Sequence, residues 1–254
     1  GREGWADVLL VAPATANTVG KMAAAVDDTP VTTTATTALG ADVPVVVAPA
    51  MHEPMYDHPG VLDSIETLEG WGVTFVDPRI EEGKAKIAAE ADVVTETARR
   101  ATPSPLEGRT VVVTSGATSE RVDPVRVLTN RASGRTGRAV ARACYVAGAD
   151  VVLVHDGPDV GYAEVRRTGS AAEMLEAVSA AVEERGADAL VSAAAISDYT
   201  VETSDEKIRS GRELTLELLP TPKLIDTVRE AHPDLTIVGF KAETAGDEAA
   251  LVER

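Results

Sequence analysis

The 254-residue chain has little cysteine, little lysine and few aromatic side chains. Cys144 is the single cysteine, which excludes a disulfide-stapled scaffold. Six of the 24 basic residues are lysines, namely Lys21, Lys84, Lys86, Lys207, Lys223 and Lys241. Set against 41 acidic residues, they leave a net charge of −17, which repels phosphate backbones and excludes a general nucleic-acid binder. No apolar run reaches the ~18 residues of a membrane span. No charged segment followed by an apolar one reads as a secretory signal. No GxGxxG fingerprint precedes a helix, so dinucleotide binding is disfavoured. His52, His58, His155 and His232 form no zinc-ligand spacing with one another or with Cys144. Neither a GxSxG elbow nor a Cys–His nucleophile pattern is present.

Apolar residues are plentiful: at 44% they rule out an acidic disordered chain. The acidic residues, among them Glu66, Glu69, Glu90, Glu96, Glu173, Glu176, Glu183 and Glu184, are spread through helical patterns without a block of like charge. They read as a solvated, salt-adapted surface rather than a docking tail.

The run over 6–12 reads as a buried parallel strand. Lying one turn from the first residue, it gives the expectation of a piece of a longer protein. Thr15 or Asn17 caps a helix over 19–26. A second apolar strand spans 44–48. A helix over 59–70 stops at Gly72 and leads to a short strand over 73–76. Residues 97–108 carry Pro103, Pro105 and Gly108 and hold the linker, set at 101–108 between domains over 1–100 and 109–254. Beyond it, strands over 109–114, 150–155, 188–193 and 235–240 alternate with helices over 134–148, 171–185 and 221–231. An alternating pattern covers 214–218. Both halves are therefore α/β with parallel sheets, and ligands belong at the carboxyl ends of the strands.

Ser133-Gly134-Arg135-Thr136-Gly137 opens an alanine-rich helix. Glycines there let a backbone approach a ligand, and the helix N-terminus offers N–H groups to an anion. The same turn serves equally for close packing of helix on strand. Before it lies a polar loop of ~18 residues, a length usually tied to function. Gly116-Ala117-Thr118-Ser119-Glu120-Arg121-Val122-Asp123-Pro124-Val125-Arg126, then Asn130 and the Ser133–Gly137 turn, resemble phosphopantothenate–cysteine ligases. So do Ala193-Ala194-Ala195-Ile196-Ser197-Asp198-Tyr199, Glu206-Lys207-Ile208 and Gly239-Phe240-Lys241-Ala242-Glu243, in the same order, from about Leu106 onward. The resemblance implies that CTP activates the carboxylate of 4′-phosphopantothenate as an acyl-cytidylate, which the cysteine amine then attacks. By that likeness Asn130 hydrogen-bonds the activated acyl group and Lys207 balances triphosphate charge. Asp198 binds nucleotide or Mg²⁺. Ser133, Gly134, Ala194 and Ala195 contact the nucleotide. Phe240 and the Pro222-Lys223-Leu224-Ile225 segment line its pocket. The family continues beyond Phe-x-Ala-Glu, so the ligase domain is expected to lack its C-terminal part.

In the front half, Ala12-Pro13-Ala14-Thr15-Ala16-Asn17-Thr18 and Pro49-Ala50-Met51-His52-Glu53-Pro54-Met55-Tyr56 resemble the FMN-dependent phosphopantothenoylcysteine decarboxylases, over about residues 5–91. That likeness implies a partial flavodoxin-like FMN domain missing its N-terminal part, followed by a Rossmann-like ligase domain. Asn17 would bind the substrate carboxylate, Thr15, Thr33 and Thr34 would meet the flavin, and Met51 would pack on its ring. The threonine run 32–37 reads equally as a plain strand. His52 stands where the family carries Asn. The flap of the bacterial enzymes carries a cysteine, and the matching Glu81-Glu82-Gly83-Lys84-Ala85-Lys86 has none, so Lys84 and Lys86 are expected to bind substrate phosphate instead. Cys144 reads as a core residue. The composition gives the expectation of a cytoplasmic protein without nucleic-acid or membrane partners, and the resemblance implies a homo-oligomer acting on small molecules. The rival readings are a non-catalytic FMN-binding regulatory subunit and an NAD-dependent oxidoreductase. With lysine so scarce, the six that remain are expected at phosphate-handling clefts.

Overall fold

The computed structural model describes residues 4, 6–81, 83–211 and 213–241. The chain divides into two compact units, Gly1–Glu107 with Val146–Gly148, and Gly108–Tyr145 with Ala149–Arg254.

The first unit runs β1 (Leu9–Ala14), α1 (Ala16–Ala23), α2 (Pro30–Gly40), β2 (Val45–Pro49), β3 (Met51–His52), α3 (Glu53–Tyr56), α4 (Pro59–Gly70), β4 (Thr74–Phe75), β5 (Arg79–Glu81), β6 (Lys84–Lys86) and α5 (Glu90–Ala101). Its main sheet is parallel, in the order β1-β2-β4. The central strand β2 is buried along its length. Val45 and Val47 join Val11, Val19, Met22 and Leu68 on one face, while Val46 and Ala48 meet Val76, Ala88 and Val93 on the other. A strand with apolar residues on both sides of its pleat needs cover on both faces, and β2 has it. β1 departs from the doubly buried strand its sequence predicts. Among the described strands it pairs with β2 alone, so Val11 and Ala14 are buried while Leu10 stays 39% exposed.

The threonine run is helical, not a strand. Thr29 and Thr32 form a reciprocal capping box and Pro30 takes the first turn, which starts α2 before β-propensity has any say. Thr34 and Thr37 then return their hydroxyls to the carbonyls of Pro30 and Thr33, at 2.7 and 2.8 Å. The expected helix over 19–26 starts earlier, capped by Thr15, and ends at Ala23, because Ala25 turns to a φ of 53°. α4 matches its expected range. α5 carries Glu90 and Asp92 in its first turn and Arg99 and Arg100 in its last, which suits the helix dipole and carries the helix into the segment read as linker. The expected flap is the β5–β6 hairpin, and β6 also pairs with β3.

The second unit runs β7 (Thr110–Thr114), β8 (Ser119–Arg121), β9 (Val127–Thr129), α6 (Arg135–Val146), β10 (Asp150–His155), β11 (Glu164–Arg167), α7 (Ala171–Arg185), β12 (Ala189–Ser192), β13 (Tyr199–Val201), β14 (Leu218–Pro220), α8 (Leu224–Ala231) and β15 (Thr236–Gly239). Five strands form one parallel sheet in the order β11-β10-β7-β12-β15. Met174, Val178 and Val182 of α7 pack on Val112, Val152 and Leu190. α7 begins with a Ser170–Glu173 capping box and ends on left-handed Gly186. The long polar loop contains the β8–β9 hairpin. β11 escapes the apolar pattern because its sequence is Glu-Val-Arg-Arg on a sheet edge. The pattern expected over 214–218 becomes a strand only from Leu218, paired with β13. α8 starts at Leu224 rather than at Thr221, whose N–H and hydroxyl are engaged by the carbonyls of Asp198 and Ser197. Cys144 is half-buried on α6 rather than in the core, and burial raises its thiol above the ordinary cysteine range.

Candidate active site

In the second unit the strand order reverses at β7. The chain leaves it for β10 on one side and later returns to β12 on the other, which opens a crevice at the carboxyl ends of β7 and β12. Side chains and backbone stitch these two ends together. Thr114 Oγ1 accepts the N–H groups of Ala193 and Ala194, each at 3.1 Å. The Ala195 N–H donates to the Gly116 carbonyl at 2.9 Å, and the Ser197 N–H donates to Thr118 Oγ1 at 2.8 Å. Asn130, just after the hairpin, donates from Nδ2 to the carbonyls of Ala195 and Ile196 at 3.2 and 3.4 Å. Asn130, Ala194 and Ala195 are thus brought together.

Gly134 and Gly137 sit against the end of β7. A Cβ on Gly137 would lie 2.6 Å from Ser115 Cβ and 2.7 Å from the Thr114 carbonyl. Gly134 adopts a φ of 68°, and a Cβ there would lie 2.8 Å from Ser115 Oγ, which itself donates to the Gly134 carbonyl at 2.8 Å. The turn therefore packs α6 tightly on the strand end. Ser133 is exposed beside it, and Arg138 donates to its carbonyl at 2.8 Å.

Asp198 and Lys223 form an exposed ion pair, and that bond raises the Lys223 ammonium above the ordinary lysine range. The segment expected to line the nucleotide pocket splits. Pro222 and Lys223 are exposed, while Leu224 is 4% exposed and belongs to the core. Ile225 packs over Gly239. Phe240 is 54% exposed, and its N–H donates to the Ser192 carbonyl at 2.9 Å. Ala242 and Glu243, the end of that motif, lie outside the described residues.

Lys207 is exposed and enters none of the ion pairs among the described residues. Its neighbour Ile208 is gripped from a distance. Asp123, buried in the β8–β9 turn, accepts the Ile208 N–H at 3.1 Å, and Arg126 Nη2 donates to the Ile208 carbonyl at 2.9 Å. Burial pushes the Asp123 carboxyl upward. The N–H groups of Val125, Ile208 and Arg126 and the Arg126 guanidinium outweigh it, leaving the group below the ordinary aspartate range. Sequence reasoning gave no role to Asp123 or Arg126. An Asp before Pro, opening a turn between two short strands, was the available signal. Glu120 was missed likewise; it is buried and accepts the Ala171 N–H at the start of α7, at 2.8 Å.

In the first unit Thr15, Ala50, Met51, His52, Met55, Lys84, Ala85 and Lys86 line a hollow of about 390 Å³. It joins thioethers to two ammonium groups. Lys86 pairs with Glu81 at 2.9 Å. Asn17 is exposed in the first turn of α1 and is not part of this lining. Thr33 and Thr34 are not part of it either. They line a shallower hollow with Asp27 and Asp28. Thr33 donates its hydroxyl proton to Asp27, and Thr34 donates to the Pro30 carbonyl. Neither offers a proton to a phosphate, and the two carboxylates repel one. Of the six lysines, Lys84 and Lys86 line the Met51 hollow, while Lys21 is paired with Asp28 at 2.7 Å. Among the described residues no group of three His, Cys, Asp or Glu side chains is placed to hold a metal, and no helix is long and apolar enough to cross a membrane.

Comparison with known proteins covers both units. The family model of the DNA/pantothenate metabolism flavoprotein C-terminal domain matches residues 106–252, and the Flavoprotein model matches residues 2–102. The coenzyme A biosynthesis bifunctional protein CoaBC of Thermococcus kodakarensis is 47% identical over 253 residues, which is 98% of this chain and 62% of that protein. A cysteine/cysteine sulfinic acid decarboxylase from an unknown prokaryotic organism is 37% identical, over 94% of this chain and 70% of its own. The crystal structure of the C-terminal domain of a CoaBC protein aligns with a TM-score of 0.51 at 29% identity, covering 59% of this chain and 72% of that one.

Proposed function

The chain belongs to the family of the DNA/pantothenate metabolism flavoprotein C-terminal domain, and on that premise we propose that it serves coenzyme A biosynthesis with two activities. The second unit ligates 4′-phosphopantothenate to cysteine at the expense of CTP. The first decarboxylates the product with the help of FMN. The observation that carries the ligase reading is the meeting of Asn130 with the Ala195–Ile196 carbonyls at the β7–β12 crevice.

In this reading a carboxylate oxygen of 4′-phosphopantothenate attacks the α-phosphorus of CTP and pyrophosphate leaves. The cysteine amine then attacks the acyl carbon, and CMP leaves with the former carboxylate oxygen. The Lys207 ammonium meets the charge that develops on the departing pyrophosphate. Asn130 has its amide protons turned to two carbonyls, so Oδ1 is the atom left to substrate. An acceptor suits an N–H of the attacking amine better than an acyl oxygen. Lys223, released from Asp198, is a second cation for phosphate, and Asp198 then accepts from the nucleotide's ribose or base. Ser133 and Gly134 approach the phosphates at the start of α6. Asp198 does not fit a resident Mg²⁺, because it is a lone carboxylate already held by an ammonium. Mg²⁺ enters with the CTP phosphates.

For FMN, the hollow at Met51 fits: Met51 and Met55 present polarizable surface to a ring system, and Thr15 and the two lysines present polar groups at its rim. The Thr33–Thr34 pair does not fit the flavin phosphate, for the reason its hydroxyl bonds give. When bound, the flavin supplies a two-electron acceptor. Lys84 and Lys86 hold the substrate phosphate, and the protein works as a cytoplasmic homo-oligomer without nucleic-acid or membrane partners. The test is CTP-dependent pyrophosphate release by the full-length protein that carries this chain, in the presence of phosphopantothenate, cysteine and Mg²⁺. Release that needs phosphopantothenate, and needs cysteine for more than one turnover, is expected; no release with CTP or ATP removes the ligase reading. Flavin absorbance of the purified protein tests the first unit separately.

A further inference from the structure

We propose that Asp123 is a positioning residue for the ligation: through the backbone of Ile208 it sets where the Lys207 ammonium stands. The proposal rests on the reading of Lys207 as the cation that meets the nucleotide phosphates. Asp123 is 1% exposed, and its two carboxylate oxygens have different jobs. Oδ1 accepts the N–H groups of Val125 and Arg126 at 2.8 and 2.9 Å, which closes the hairpin turn. That is an ordinary Asx turn, and asparagine would make it equally well. Oδ2 contributes nothing to the turn's backbone. It accepts Arg126 Nη1 at 2.7 Å and the Ile208 N–H at 3.1 Å. Arg126 then donates from Nη2 to the Ile208 carbonyl at 2.9 Å, so a single ion pair holds both backbone groups of the residue after Lys207.

The segment that carries Lys207 has no regular structure of its own, since residues 202–209 form neither helix nor strand. The hairpin supplies its order. The Ser204 N–H donates to the Val122 carbonyl at 3.0 Å, and the Thr203 hydroxyl donates to the Arg121 carbonyl at 2.9 Å. The same hairpin leads directly into Asn130. One turn therefore references both Asn130 and the backbone beside Lys207 to the same hairpin, across a sequence gap of more than seventy residues. A lysine on a four-carbon stem finds a phosphate reproducibly only when its Cα is fixed, and an ion pair whose carboxylate is buried resists the sliding that would move it. A carboxylate is needed here because Oδ2 must accept from a cation and an amide together.

The test is Asp123→Asn in the full-length protein, with CTP-dependent pyrophosphate release as the assay. The substitution keeps the Oδ1 turn but turns an amide nitrogen toward the Ile208 N–H and the guanidinium. kcat/KM for CTP should fall about 10- to 100-fold, in the range of Lys207→Ala. The double variant Asp123→Asn/Lys207→Ala should fall no further than Lys207→Ala alone, because both changes act through one ammonium. A second readout is the protection by Mg-CTP of Lys207 from acetylation by N-hydroxysuccinimide acetate, followed by peptide mass spectrometry. Protection should be present in the wild type and lost in Asp123→Asn. Wild-type kinetics, retained protection, or losses that multiply in the double variant would overturn the proposal while leaving Lys207 its role. An unaffected Lys207→Ala would remove the role of Lys207 and the proposal with it. Should Asp123→Asn fail to fold, Arg126→Lys keeps the charge and loses the bond to the Ile208 carbonyl, and the same non-additivity with Lys207→Ala is expected; multiplying losses there overturn it.

Discussion

Asn130 donates from its amide nitrogen to the Ala195 carbonyl at 3.2 Å, joining the end of the β8–β9 hairpin to the loop that follows β12. The two residues are 65 positions apart, and the bond fixes which end of the amide faces the crevice. With Nδ2 turned to carbonyls, Oδ1 is the atom offered to a substrate. Asn130→Ala is therefore expected to impair transfer to cysteine more than formation of pyrophosphate. Rapid-quench measurement of both half-reactions checks this: amide formation should drop at least about tenfold more than pyrophosphate release, the scale of one lost catalytic hydrogen bond. Equal losses in the two steps would contradict the orientation.

Gly137 tests the packing of α6 on the end of β7. Two of the atoms a Cβ would meet are the Thr114 carbonyl oxygen at 2.7 Å and Ser115 Cβ at 2.6 Å, and a backbone carbonyl cannot swing aside. Gly137→Ala should cost about 1–3 kcal/mol of stability, visible as a fall of several degrees in Tm. An unchanged Tm would mean that the helix is free to shift.

Lys84 and Lys86 are the cations of the Met51 hollow. Replacing both with alanine should raise KM for a phosphorylated substrate of the decarboxylation about tenfold, roughly 1.4 kcal/mol, while turnover of the same compound without its phosphate stays as it was. Equal effects on the two substrates would deny them the phosphate. If free cysteine proves to be the better substrate, the first unit acts more like the cysteine decarboxylase relative.

His155 gives the second unit a pH dependence of known sign. Its side chain is fully buried at the end of β10. Burial, reinforced by Arg138 and Arg167, outweighs Asp156 and the Pro158 carbonyl and holds its pKa below the ordinary 6.5. The unfolded chain then binds more protons than the folded one between the two pKa values. Stability contributed by the neutral ring is complete above about pH 6.5 and is lost as the pH falls toward the lowered value. Denaturant titrations from pH 7.5 to 5 should show this decline, and His155→Gln should flatten it. An equal slope in the variant would place the proton elsewhere.

Much of the fold was legible where one physical signal dominated. β2, β7 and β10 are unbroken apolar runs, and such runs between turn residues have few other destinations. α4 and α7 carried their own boundaries in Pro59, Ser170 and Gly186. The threonine run misled because capping by Thr29 and Pro30 acts before side-chain propensity. β11 was invisible because an edge strand needs no apolar face. Family resemblance pointed to Asn130, Asp198 and Lys207 as candidates, yet gave no hint that Asp198 would be paired with Lys223. Nor did it indicate that Asp123 would hold Ile208, the neighbour of Lys207, across 85 positions. Bonds of that kind leave no periodicity to read, and only the folded chain brings their partners together.

In the proposed ligation the second unit activates a carboxylate by bonding it to the nucleotide's α-phosphorus. Phosphopantothenate labelled with ¹⁸O in its carboxylate, incubated with the full-length protein, CTP, Mg²⁺ and cysteine, tests it through the mass of the CMP formed. With both carboxylate oxygens labelled, the CMP is expected to carry one ¹⁸O atom per ligation. CMP without label, alongside normal amide formation, would contradict it.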